Sequence, residues 1–195
     1  MAAHASDYEL VGQIGDGGLD HAFWGRPEEM TMDRPAFRIT ADAPGSDLAG
    51  ETAAALAAGY IYFNLRGDTD YADKCLANAR TLFDFADQYR GTYVDSIPQA
   101  GDFYNSWSGY HDELVWASAW MAKATKIPQY TSKAEELYNQ FNDVQGVPGE
   151  FSWDNKVAGA QLMLWDITGD EKYKANVQSF LDTWRTHLAA CLRVG

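Results

Sequence analysis

The 195-residue chain carries 28 acidic against 15 basic side chains, a formal charge of −13, with 46% hydrophobic and 22% charged residues. That balance is ordinary for a globular protein and argues against disorder. The net charge disfavours nucleic acid and anionic membrane surfaces as partners, while neutral ligands such as sugars and cations such as calcium stay compatible. The two cysteines, Cys75 and Cys191, imply no disulfide framework. The first seven residues lack the basic-then-apolar pattern of a signal peptide, and no apolar stretch is long enough to span a bilayer.

In chain order, residues 12–28 come first, a glycine-rich segment holding His21 and Trp24. Its glycines suggest a nucleotide loop, but no strand is predicted before them and no Lys follows. The bland expectation is a turn with a packed Trp; the sharper one is a ligand contact through His21 and Trp24. Residues 46–63 then read as a helix that is apolar nearly all round, hence buried on every face. Arg66-Gly67-Asp68 breaks it as a turn, its adhesion-tripeptide spelling being incidental. Residues 69–89 carry one apolar stripe (Ala72, Cys75, Leu76, Ala79, Leu82, Phe83, Ala86), so that helix keeps a face in water.

The pair recurs. Residues 114–124 are mostly apolar, Pro128 ends them, and Tyr130, Ala134, Leu137, Tyr138 and Phe141 form the next stripe. Residues 157–167 are again mostly apolar, Gly169-Asp170 ends them, and Tyr173, Val177, Phe180, Leu181 and Trp184 follow. Buried helix, solvent helix, repeated three times, predicts an all-α protein of helical hairpins, either a solenoid or an α/α toroid. Inner helices buried on all faces favour the toroid, and three hairpins cannot close one. Each end is therefore expected to leave an inner helix uncovered. No strand-like alternation competes over any length, and residues 186–195 carry no repeat pattern.

Segments between the helices hold the chemistry-prone residues. Residues 102–114 place Phe103, Tyr104, Trp107 and Tyr110 beside Asn105, Ser106 and His111. Stacking faces with a hydroxyl-binding rim suit a sugar, and filling space at a barrel entrance is the competing explanation. Asp112 and Glu113 open a buried helix, where acidic residues complement the helix dipole. Alternatively, beside a Ser-Gly turn, they supply the hard oxygens that calcium needs. Residues 151–156 put Trp153 and Asp154 before the next buried helix, so in a toroid Asp154 comes alongside Asp112 and Glu113.

These segments, GQIGDGGLDHAFWGRPE, PGSDLAGETAAALA, FYNSWSGYHDELVWASAW and FSWDNKVAGAQL, resemble the middle of a glycoside hydrolase family 9 cellulase, most of all the invertebrate animal members. The resemblance implies a partial (α/α)6 toroid of about three inner and outer hairpins out of six. Residues 1–185 would form the central part of the catalytic domain, incomplete at both ends, with 186–195 a non-matching tail. It implies an extracellular endo-β-1,4-glucanase, monomeric when complete, acting on cellulose or other β-1,4-glucan chains with inversion. His21, Trp24, Phe103, Tyr104, Trp107 and Trp153 match cleft positions of the family. Ser108, Gly109, Asp112, Glu113 and Asp154 match its structural calcium site. The family's Asp-Ala-Gly-Asp base motif and its C-terminal acid Glu have no counterpart in these residues, so the chain alone is expected to be inactive. A truncated, non-catalytic β-glucan-binding remnant is the alternative expectation.

Overall fold

The computed structural model describes the backbone of residues 4–6 and 9–191 and the side chains of residues 9–186. Three strands come first: β1 (His4–Ser6), β2 (Glu9–Ile14) and, after helix α1 (Gly17–Ala22), β3 (Ala36–Thr40). They form one antiparallel sheet in the order β1-β2-β3, with Leu10 opposite Ile39 and Val11 opposite Arg38. This sheet corrects the expectation of no strands. Its signal is weak because, among the described side chains of β2 and β3, only Leu10 and Ile39 are buried, and the pairing slips between Val11 and Gln13. A bulge at that point interrupts the period-two pattern that strands are recognised by.

The helices follow the expected alternation. Inner helices α2 (Ser46–Leu65), α5 (His111–Thr125) and α7 (Val157–Thr168) pair in turn with outer helices α3 (Thr69–Gln88), α6 (Pro128–Gln140) and α8 (Glu171–Cys191), and α2 packs on α5 and α5 on α7. A short helix α4 (Tyr93–Ser96) and a 3₁₀ turn (Pro98–Asp102) lie in the connection from α3 to α5. The structure is three inner–outer hairpins side by side, the arrangement expected of a segment of an α/α toroid, with a small sheet near the start of its first inner helix.

Local chemistry sets the hairpin turns. Gly67 takes φ +83° and Gly169 φ +73°, left-handed values that a Cβ disfavours, and Lys126 adopts φ 59° just before Pro128 opens α6. The Asp68 side chain caps α3 by accepting from the Tyr71 N–H at 3.2 Å, so Arg66-Gly67-Asp68 acts as a turn and cap. At the opposite end of the first hairpin, the buried Ser46 Oγ donates to the Ala86 carbonyl at 2.8 Å and accepts from Gly91 N–H at 3.2 Å. That bond ties the start of α2 to the end of α3.

The middle hairpin carries the core: Leu114, Val115, Ala117, Ala119, Met121 and Leu137 are fully buried. Coverage fails at the flanks, as the toroid argument requires. On α2, Tyr62 is 58% and Leu65 80% exposed; on α7 and α8, Leu162, Leu181 and Trp184 are exposed. The third outer stripe is therefore split. Tyr173 and Val177 are buried and its later residues are not. The tail expected at 186–195 lies outside the described side chains, apart from Thr186.

Candidate functional site

The long connections all emerge at one end of the helices and enclose a cavity of about 400 Å³. Four of the six predicted ligand-contacting residues line it: His21, Phe103, Tyr104 and Trp153. His21 stacks face to face on Phe103, with ring centroids 4.1 Å apart and planes 8° from parallel. Tyr104 meets Trp153 edge-on at 5.4 Å and 85°. Two aromatic pairs thus stand around a single concavity, and Tyr104 and Trp153 remain more than half exposed. Rings this exposed are not filling a core. Trp24 and Trp107 lie outside the cavity lining, both on the surface, so Trp24 is not the packed residue of the bland expectation.

Each of these rings is held from behind. Asp16 caps α1 by accepting from Leu19 N–H at 2.9 Å. Arg34 grips Asp20 at 2.5 and 3.0 Å and reaches the Ile14 carbonyl at 3.2 Å, which fastens α1 to the sheet. His21 Nδ1 lies 2.7 Å from the Gly17 carbonyl. A carbonyl can only accept, so Nδ1 is the donor in this contact, which leaves Nε2 as the ring nitrogen outside that bond. The stack also needs Gly17: a Cβ there would stand 2.5 Å from Phe103 Cε2. Further along, the Tyr93 hydroxyl donates to the Tyr104 carbonyl.

Behind the aromatics lies a group of buried carboxylates. Asp47, Asp112, Glu113 and Asp154 are all buried, and Glu51 is partly so. Asp154 accepts from the N–H groups of Trp107 at 2.8 Å and Ser108 at 3.1 Å, and its carbonyl accepts from Ser108 Oγ. One carboxylate thereby folds the aromatic loop onto the start of α7. Asp112 accepts from Lys156 N–H at 2.6 Å, and Asp47 from the N–H of Tyr93 at 2.9 and 3.1 Å. Glu113 keeps one buried oxygen, Oε2, with no hydrogen-bond partner.

The electrostatics follow from that crowding. Burial pushes the Asp47 carboxyl up to about 6. Burial, then the Asp112 charge beside it, drives Glu113 well above the usual carboxylate range, and burial also raises Asp112 and Glu51. Tyr93 is pushed up to about 12 by burial and by the charges of Asp47, Asp154 and Glu113. A cation placed among these groups would lower the energy of every ionised form. The Asp112–Glu113 corner, with its unpartnered oxygen and the Ser108 hydroxyl 3.5 Å from Asp112, suits a hard ion. Asp154 bears on that corner with both carboxylate oxygens already accepting N–H groups. Among the described residues, no three His, Cys, Asp or Glu side chains are gathered closely enough to hold a metal by themselves. Loop hydroxyl and carbonyl oxygens, those of Ser108 and Gly109, would have to complete such a shell.

Several lining residues escaped sequence reasoning. Asp47, Glu51 and Tyr93 are the ones that face the cavity, whereas Ser106, expected at the polar rim, lines it as read from the sequence. The available signal was the pair Asp47 and Glu51, two carboxylates four residues apart on an otherwise apolar helix, hence on one face. Conversely, Tyr110 and His111 turn away from the cavity. His111 stacks on Phe141 at 3.8 Å and pairs with Asp143 at 2.8 Å, which fastens α5 to the end of α6.

Comparison with known proteins gives a consistent picture. The profile described as "Glycosyl hydrolase family 9" matches residues 1–193. An endoglucanase of Dictyostelium discoideum is 46% identical over 187 residues, 94% of this chain and 26% of that protein. Endoglucanase 20 of Oryza sativa subsp. japonica is 46% identical over 186 residues, 93% of this chain and 34% of its own. The solved endoglucanase of the termite Nasutitermes takasagoensis superposes with a TM-score of 0.88 at 52% identity, covering 92% of this chain and 41% of that one. An endoglucanase of Clostridium thermocellum, solved with cellobiose and cellotriose, superposes at 0.76 and 35% identity, covering 93% and 29%. The chain thus spans about a quarter to a third of the curated relatives it matches.

Proposed function

This chain belongs to glycosyl hydrolase family 9, and from that membership we propose that it supplies part of the substrate cleft of an endo-β-1,4-glucanase. The observation that carries the reading is the pair of aromatic contacts, His21 on Phe103 and Tyr104 against Trp153, around one cavity. A β-1,4-glucan presents flat C–H faces edged by hydroxyls, so exposed rings stack on the faces. His21 Nε2 accepts from a hydroxyl at the rim. An extracellular site of action belongs to the same proposal, because a glucan polymer does not cross a membrane.

Hydrolysis with inversion needs an acid and a base about 6.5–9.5 Å apart, with a water between the base and the anomeric carbon. Asp112 and Glu113 do not meet that need: they are consecutive residues, both buried at the start of one helix, and cannot flank a glycosidic bond from opposite faces. None of the other carboxylates in these residues matches either family role. The chain by itself is therefore read as binding without turnover. Calcium, held by Asp112 and Glu113 with oxygens from Ser108 and Gly109 and with Asp154 alongside, would neutralise the buried charge and brace the aromatic loops.

Titration of the folded chain with cellotetraose tests the first part, through quenching of tryptophan fluorescence. Saturable quenching is expected, together with no release of reducing ends from carboxymethylcellulose. A flat titration would remove the binding role, and measurable turnover would refute the argument from carboxylates. Thermal melts with calcium and with a chelator test the second part. An unchanged midpoint would dismiss the ion.

A further inference from the structure

Lys156 is a lysine almost wholly out of solvent, 6% exposed, at the start of α7. An ammonium is rarely buried unless its charge and its protons are matched. Here Nζ donates to the Ser152 carbonyl at 2.7 Å and to the Trp153 carbonyl at 2.8 Å, and it lies 3.7 Å from Glu51 Oε1 on α2. The two carbonyls belong to the peptide planes on either side of the Trp153 Cα. Anchoring both planes to one atom fixes the two backbone dihedrals of Trp153, and with them the direction of its Cα–Cβ bond. Glu51 then ties the same ammonium to the inner ring of helices.

We infer that Lys156, with Glu51 as its counterion, is a positioning residue that sets the orientation of Trp153 as a sugar-stacking platform. The sugar-binding half of this statement rests on the glucan-cleft reading given above; the positioning half does not. A side chain needed only to fill space would be replaced well by an apolar one of similar length. The observed geometry instead uses the charge: an ammonium holds two carbonyls and a carboxylate together, which a thioether cannot do. Ser152 adds to the rigidity, since its hydroxyl accepts from the N–H groups of Asp154 at 3.3 Å and Asn155 at 3.2 Å.

The experiment compares K156M, K156R and E51Q in the 195-residue chain, each with and without Trp153→Phe so that the Trp153 signal is obtained by difference. Without ligand, the Trp153 near-UV circular dichroism should collapse in K156M and its acrylamide quenching should rise. K156R, which keeps a charged donor, should recover most of both. E51Q should shift them the same way by less. With cellotetraose, apparent affinity should fall roughly tenfold in K156M and be restored in K156R, as expected when a platform must be ordered on binding. A folded K156M whose Trp153 signal matches the unsubstituted chain overturns the inference. Should K156M fail to fold, an unshifted Trp153 signal in E51Q overturns it instead. If the unsubstituted chain does not bind cellotetraose, the cleft reading fails, and the ligand-free signals still decide whether Lys156 orients Trp153.

Discussion

The middle hairpin and the flanking hairpins are built from the same kind of sequence, yet they meet different surroundings. On α5, the residues from Leu114 to Ala119 are buried apart from Trp116, because α2 and α7 cover both sides and α6 lies behind. On α2 the side facing α5 is just as closed: a Cβ on Gly50 would stand 3.0 Å from the Glu113 carbonyl. Towards its C-terminal end α2 leaves Tyr62 and Leu65 exposed, and α7 leaves Leu162 exposed. An inner helix in this architecture is thus buried by its neighbours in the ring, and apolar composition alone does not bury it.

Substitutions can break that contrast. The largest effect is expected for Leu114→Ala, about 3 kcal/mol of lost stability, since a wholly enclosed leucine leaves a cavity that packed helices on three sides cannot refill. Chemical denaturation measures it directly. Gly50→Ala should come next. Helix propensity favours alanine by about 1 kcal/mol, but overpacking against a backbone carbonyl costs about 2 kcal/mol, leaving a net loss near 1 kcal/mol. A gain in stability there would mean that α2 can slide away from α5. Leu162→Ala should change stability by less than about 0.5 kcal/mol, because nearly half of that side chain already meets solvent. A loss as large as that of Leu114 would show that something covers α7 in solution.

Much of the helical architecture was legible in the sequence, and for a plain reason. Helix amphipathicity is a short-range signal, and glycine and proline mark where it stops. Tyr71, Tyr130 and Tyr173 each follow a turn and open an outer helix, yet the first is 40% exposed and the last fully buried. They hold equivalent places in their hairpins, and only their neighbours decided their burial. The sheet was not legible, because Leu10 and Ile39, the buried side chains described in β2 and β3, are 29 positions apart and gain their meaning only when paired.

For the site, residue type and spacing raised the aromatics and carboxylates of the connections as candidates, with core packing and helix-dipole pairing as the competing explanations. The family resemblance is what singled out His21, Phe103, Tyr104 and Trp153 for the cleft and the Asp112–Glu113 corner for an ion. Tertiary structure alone decided that Trp24 and Trp107 stand outside the cavity, that His111 faces Phe141, and that Asp47, Glu51 and Tyr93 complete the lining. It also decided what Lys156 does, since its nearest charge, on Glu51, comes from a helix more than a hundred residues earlier. Side-chain direction and charge compensation are properties of groups brought together by folding, and neither is encoded in a local window of sequence.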